Sequence, residues 1–310
     1  MVNLVAMEPG SPGIVIGLFI LASEAFVAVF TIIFITSIIL WDFYKKRRLD
    51  SKDEIQLAMN VSCFIFTIVL AYSEFSRILQ PDVTKMSHPS PLLTVVSVYF
   101  MCSCSWLTAS YCFFNFIKIV NFQWPFIHRV RVRIGSVVPW QIVVVEVMSL
   151  CVSLLHLLPY RKGHVSYTNS SHISSELMVV DDYMSIFLII LICSPLVLST
   201  ITLIPTAAFL RCHMKKMKDT KTSGEVLMYE RVAWKMLFFL LLYLMYFLMV
   251  ILYYFSIFAR YIIGYWINLI LIFSFIPAVN VVQILGTPHL RTIWKDMISY
   301  FTPHREPDTR

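Results

Sequence analysis

Glu24, Glu74, Arg77, Glu146, His156 and Asn280 are polar or ionisable side chains that lie within, or at the ends of, long apolar runs. Groups of this kind serve proton relays, ion pathways, ligand anchoring or hydrogen bonding between helices. Their distribution narrows the choice, because they fall in different runs and at different depths rather than along one path. Glu74 and Arg77 are three residues apart and read as a local ion pair. Glu146, midway along its run, reads as a hydrogen-bond partner between helices, and Glu24, about three helical turns into the first run, as a group facing the bundle or water. Catalytic patterns are missing: there is no His-Glu-x-x-His pair, no Gly-Asp pair suited to proteolysis in the membrane and no nucleophile elbow. The 8 glycines are too few for phosphate-cradling loops. His213 stands beside a lysine run, which suits a partner contact better than base catalysis. Among the 7 cysteines, Cys102 and Cys104 are two apart and point to different sides of a helix, so no closed zinc set forms. The expectation is a protein that is not an enzyme and carries neither cofactor nor metal.

The runs that carry these residues define the architecture. Of 310 residues, 58% are apolar and 14% charged, where a water-soluble domain carries charge on about a quarter. Buried strands of an α/β enzyme span only about 4–8 residues. The apolar stretches near Gly13–Leu40, Ile55–Ile78, Leu92–Phe116, Val137–Leu158, Met184–Leu210, Met236–Phe258 and Tyr261–Leu285 are far longer. Each can cross a hydrocarbon core about 30 Å thick as a helix. Helices are required because unpaired backbone groups in lipid are too costly. The expected fold is all-α: a seven-transmembrane bundle over residues 1–288, with a short amino-terminal tail, followed by an interfacial helix and tail over residues 289–310.

Orientation follows from lysine and arginine. Lys45, Lys46, Arg47, Arg48 and Lys52 lie between the first and second spans, and Lys118, Arg129, Arg131 and Arg133 follow the third. Arg211, Lys215, Lys216, Lys218, Lys221, Arg231 and Lys235 separate the fifth from the sixth, and Arg291, Lys295, Arg305 and Arg310 close the chain. The opposite loops hold Arg77, Lys85, Arg161, Lys162 and Arg260. This bias puts the richer side, with the carboxyl terminus, in the cytoplasm and the amino terminus outside, at the plasma membrane. The net charge of +7 is thereby matched to lipid headgroups and cytosolic partners, not nucleic acid. Asn169-Ser170-Ser171 is a glycosylation sequon in a loop expected outside, whereas Asn60-Val61-Ser62 lies inside the second span. The stretch Met1–Gly13 has no basic residue and is not expected to be a signal peptide.

Prolines mark where helices can give. Pro195 and Pro205 in the fifth span and Pro277 in the seventh each free a carbonyl four residues earlier. Asn280, one turn after Pro277, makes that region a candidate water-linked hinge. After Pro288, the residues Leu290, Ile293, Trp294, Met297, Ile298 and Phe301 recur at helical spacing, with Arg291, Lys295 and Asp296 off the stripe. That is the pattern of a helix lying in the membrane interface.

The third span and its exit read FNFIKIVNFQWPFIHRVRVRI, Phe114 to Ile134. Lys118, Ile119, Asn121 and Phe122, with Arg131, Arg133 and Ile134 after them, resemble a signature of the type 2 taste receptors, the bitter receptor family of G-protein-coupled receptors. Trp106-Leu107-Thr108, Leu210…His213…Met217, and Ala233 with Lys235 are similar to that family's third, fifth and sixth spans. Departures occur as well: Cys63 stands where the family has Arg, Glu230 where it has His, and Pro277…Asn280 where it has Pro-x-x-His-Ser. The resemblance implies a receptor for small, mostly apolar agonists that activates a heterotrimeric G protein.

The resemblance also implies site residues. Counted back from Trp106, the family's ligand-facing Trp and Asn fall at Ser97 and Met101, and a pocket tyrosine falls at Tyr246. These three, with Glu24, are the expected agonist residues. Lys118, Arg131, Arg133, His213, Lys215 and Lys216 would face the G protein, and Pro205, Pro277 and Asn280 would form the switch. The expected partners are a small-molecule agonist, a heterotrimeric G protein and membrane lipid. Two other readings remain open at this point: a vomeronasal type 1-like receptor with another ligand range, and a small-solute transporter or channel, for which aligned polar groups are not seen.

Overall fold

The computed structural model describes residues 12–79, 91–119, 133–155, 191, 193–212, 223–254 and 262–301. These form eight α-helices, and no strand occurs among the described residues. They are α1 (Pro12–Lys46), α2 (Ser51–Leu79), α3 (Pro91–Ile119), α4 (Ile134–Leu155), α5 (Cys193–Cys212), α6 (Ser223–Tyr254), α7 (Ile262–Gly286) and α8 (Pro288–Phe301). The first seven are each long and apolar enough to cross a membrane.

Local sequence explains where helices begin and end. α1 runs past the expected Leu40 to Lys46, carrying Trp41 and Tyr44 at an end where amphipathic rings suit a headgroup boundary. It stops at Arg47, which adopts a left-handed φ of 53° and donates its amide to the Phe43 carbonyl at 2.7 Å. A left-handed residue with its amide turned back in this way satisfies carbonyls that the helix end would orphan. α2 starts at Ser51 rather than Ile55, because the Asp50 carbonyl already accepts from the Asp53 and Glu54 amides at 2.8 and 3.0 Å. Asp53 and Glu54 then place negative charge in the first turn, where the helix dipole favours it. α6 begins at Ser223, well ahead of the apolar run, since helix-forming residues carry it through the charged stretch before Trp234.

The core forms where the spans meet. α1 packs against α2 and α7, α2 against α3 and α4, α3 against α4, and α6 against α7. α5 joins through Leu203, which is buried with Cys112, Met236, Phe239 and Val279. The α1–α7 approach depends on Gly17, where any Cβ would collide with the Trp266 ring. Small residues are what let helices come this close where no hydrophobic drive acts between them. α8 turns back beneath α1: Leu290, Ile293 and Trp294 pack on Phe34, Ile35 and Ile38, and Trp294 meets the Phe34 ring edge-on at 5.0 Å. His289 Nδ1 lies 3.7 Å from Asp42 Oδ2.

Candidate functional site

The interior between α3, α6 and α7 is aromatic. On α6, Tyr243, Tyr246, Phe247 and Val250 recur at i, i+3, i+4 and i+7, so a single face presents them all. They are buried with Val98 and Cys102 of α3, while Met101 and Phe275 are partly buried against the same cluster. Tyr246 and Phe275 stack with centroids 4.3 Å apart and planes 24° off parallel. Tyr243 reaches across to donate its hydroxyl hydrogen to the Ser105 carbonyl at 2.7 Å. Of the expected agonist residues, Met101 and Tyr246 thus share one cluster. Ser97 is half-buried one turn away from Met101 on α3, the two being four apart and on a common face.

Glu24 occupies the neighbouring seam between α1 and α7. The Ser274 hydroxyl donates to Glu24 Oε1, while Glu24 Oε2 is buried without a hydrogen-bond partner among the described residues. Ser274 adjoins Phe275, so the carboxylate pair and the Tyr246 stack hang on consecutive residues of α7. Phe275 touches three separate apolar clusters, which makes it the hub of the region. Sequence reasoning passed over Ser274 and Phe275. The available signal was their place in the turn before Pro277, on the same helix.

The helices around Pro277 carry a ladder of polar pairs. Asn280 Nδ2 donates to Thr31 Oγ1 at 3.0 Å, and Thr31 passes its own hydrogen to the Val27 or Ala28 carbonyl. Gln56 Nε2 donates to Gln283 Oε1 at 2.8 Å, and Asn60 Nδ2 to Thr36 Oγ1 at 3.2 Å. Asn60, the second sequon, is therefore buried and used between helices. Glu74 accepts from the Tyr265 hydroxyl at 2.7 Å, so its partner across the bundle is a tyrosine of α7. Pro277 lies inside α7 and cannot donate to the Phe273 carbonyl. At Pro195 the carbonyl freed by the same chemistry, that of Leu191, accepts the Ser194 hydroxyl at 2.8 Å. Pro205 sits within α5, among Thr202 and Thr206, which hydrogen-bond back along their own helix.

At the end of the bundle holding the α1–α2 turn, Lys118 is exposed with its ammonium 4.7 Å from the Phe114 ring centroid. Arg133 is exposed just before α4, and its carbonyl accepts the Ser136 hydroxyl at 2.9 Å. Lys235 donates to Thr287 Oγ1 at 3.3 Å, and its stem fills the space that a Cβ at Gly286 would need. Arg131, His213, Lys215, Lys216 and Asn169 lie outside the described residues. No group of three metal-ligating side chains occurs among the described residues.

A family model described as taste receptor protein (TAS2R) matches residues 7–302. No curated protein matches the chain.

Proposed function

The chain belongs to the taste receptor protein (TAS2R) family, and on that premise we propose that it detects small, mostly apolar molecules of the bitter type and activates a heterotrimeric G protein. It is a multi-pass membrane protein and a taste-type receptor of the G-protein-coupled class; the family's members are receptors, not enzymes. What carries the finer reading is the stack of Tyr246 on Phe275 beside Met101, an apolar and aromatic site bordered by few polar groups. Ligand sites of this class are concave, largely apolar and oriented by a small number of polar contacts. Ser97, Met101 and Tyr246 line the agonist site, with Glu24 at its α1–α7 border. Ser97 and Met101 offer less stacking surface and one amide fewer than the family's Trp and Asn, so the ligand range is this receptor's own.

The amino terminus is extracellular and the carboxyl terminus cytoplasmic, with Asn169 glycosylated. Residues 1–288 form the signalling bundle, and residues 289–310 an interfacial helix and tail against the inner lipid surface. Lys118, Arg131, Arg133, His213, Lys215 and Lys216 face the G protein. Pro205, Pro277 and Asn280 give the bundle its second state, which the agonist favours by binding it more tightly.

The test is a ligand screen on cells that display the receptor and carry a promiscuous G-protein reporter. We expect responses to lipophilic bitter compounds, a loss of at least about tenfold in agonist potency for Tyr246→Ala, and near-normal potency for Tyr246→Phe, which keeps the stack. Silence across such compounds despite surface display would overturn the ligand assignment. Equal potency in Tyr246→Ala would remove the α3–α6–α7 cluster as the agonist site.

A further inference from the structure

A second concavity lies on the other side of α3. A groove of about 440 Å³ runs between α2, α3 and α4, with Glu54, Ala58, Val61, Ser62, Tyr99 and Glu146 among its walls. α3 serves two sites because its faces differ: Met101 looks to α6, while Tyr99 and Ser103 look to α4. Glu146 accepts the Tyr99 hydroxyl at 2.6 Å and the Ser103 hydroxyl at 2.8 Å. Ser103 lies 2.9 Å from Ser62, which must then be the donor of that pair. The carboxylate is therefore held in one orientation by side chains of α3, themselves backed by α2.

The lining is chemically lopsided. Two carboxylates, Glu54 and Glu146, border the groove, and no basic side chain does among the described residues. Glu54 Oε2 is buried without a hydrogen-bond partner among the described residues. Glu146 has accepted two hydrogens, and a carboxylate offers about four acceptor sites. Hydroxyl donors orient a carboxylate without cancelling its charge, and uncompensated charge at this depth is expensive. An anion is repelled from such a place. A neutral hydroxyl adds one ordinary hydrogen bond, whereas an ammonium forms a charge-assisted one of about twice that strength and removes the charge. Tyr99 and Phe100, in edge contact at 4.8 Å, supply aromatic surface beside the carboxylate. The approach is from lipid: Val61 is 49% exposed, and Val143 and Trp140 on α4 are 52% and 73% exposed.

We propose that this groove is a lateral binding site for cationic amphiphiles, molecules with one ammonium head on an apolar body, which enter it from the bilayer and anchor on Glu146. The site is separate from the agonist cluster and does not depend on the function assigned to it.

The experiment uses the full chain in phosphatidylcholine nanodiscs and a long-chain amine carrying a diazirine, with amide and carboxylate analogues of equal length. Photolabelling is read by mass spectrometry of peptides. Saturable labelling by the amine at residues 54–62 and 99–100 is expected, at least tenfold above either analogue. Glu146→Gln, which keeps one carbonyl oxygen to accept from Tyr99 or Ser103 and carries no charge, lowers amine labelling at least tenfold. Val61→Trp fills the groove from its lipid-exposed side, leaves every hydrogen bond in place and abolishes labelling, so the test stands even if Glu146→Gln folds poorly. Tyr246→Ala leaves labelling unchanged. Equal labelling by amine, amide and carboxylate, or undiminished labelling in Val61→Trp, overturns the proposal. Unchanged agonist potency in Tyr246→Ala, with amine labelling intact, would count against the agonist site alone.

Discussion

Glu24 shows how much a single residue discloses. Its type and its place in an apolar run mark it as a group that must face protein or water, and it does turn inward. Its partner was illegible, because Ser274 lies 250 residues away and nothing local in either stretch names the other. The same holds for Glu74, which accepts a hydrogen bond from Tyr265 of α7, 191 residues further along the chain. Hydrogen bonds between membrane helices average only about 0.6 kcal/mol, since the separated helices find other partners. Glu24 departs from that average: one carboxylate oxygen is already buried without a partner among the described residues, and removing the Ser274 hydroxyl strips the other. A buried acceptor left unsatisfied costs about 1–3 kcal/mol, and more when it is charged. Ser274→Ala is therefore expected to destabilise the wild-type chain by about 2 kcal/mol and to cost clearly less in a Glu24→Gln background, where no charge remains. Thermal unfolding of the four proteins of this cycle in detergent measures the difference. Equal losses in both backgrounds would mean that the Ser274 bond carries no charge-dependent stability.

At the scale of helices, apolar runs disclosed that seven spans exist but not where each stops. The runs mark hydrocarbon, whereas helix ends are set by turn chemistry: Arg47 in its left-handed conformation, the Asp50 carbonyl ahead of α2, and the charged yet helical lead into α6. Approach distance is equally invisible in composition. Gly17 sits in a span of mixed apolar residues, and only the position of Trp266 reveals why a side chain there would be harmful. Since lipid is as apolar as leucine, the pairing of α1 with α7 rests on close packing more than on burial. Forcing extra methyl groups into such a contact costs about 1–3 kcal/mol. Gly17→Val should therefore lower the unfolding midpoint of the purified receptor, and Gly17→Ala less so. Trp266→Leu should recover part of the loss by making room. A Gly17→Val protein that unfolds at the wild-type temperature would show that the α1–α7 contact is looser than described.

For the whole molecule, charge distribution and span number support each other, because an eighth or a missing span would scatter the basic residues over both faces. The described helices agree in number with the seven runs, and α8 follows as the amphipathic stripe after Pro288 requires. The bundle's interior was less legible, since Phe275 becomes its hub only when α3, α6 and α7 are brought together. Orientation decides what each end can do: the ends bearing Lys118 and Arg133 must meet the cytosol if the receptor signals, and the loop with Asn169 must then meet the exterior. An epitope placed at the amino terminus should bind antibody on intact cells, while one at the carboxyl terminus should do so only after permeabilisation. Treatment with an amidase that removes Asn-linked glycans should increase mobility of the wild-type chain and leave Asn169→Gln unchanged. Because binding linkage is reciprocal, a G protein added to oriented membranes should raise agonist affinity, by about 5- to 150-fold if the coupling is ordinary. Lys118→Glu with Arg133→Glu should remove that increase and leave agonist affinity without G protein as it was. A carboxyl-terminal epitope accessible on intact cells would invert the assignment and with it the proposed G-protein face.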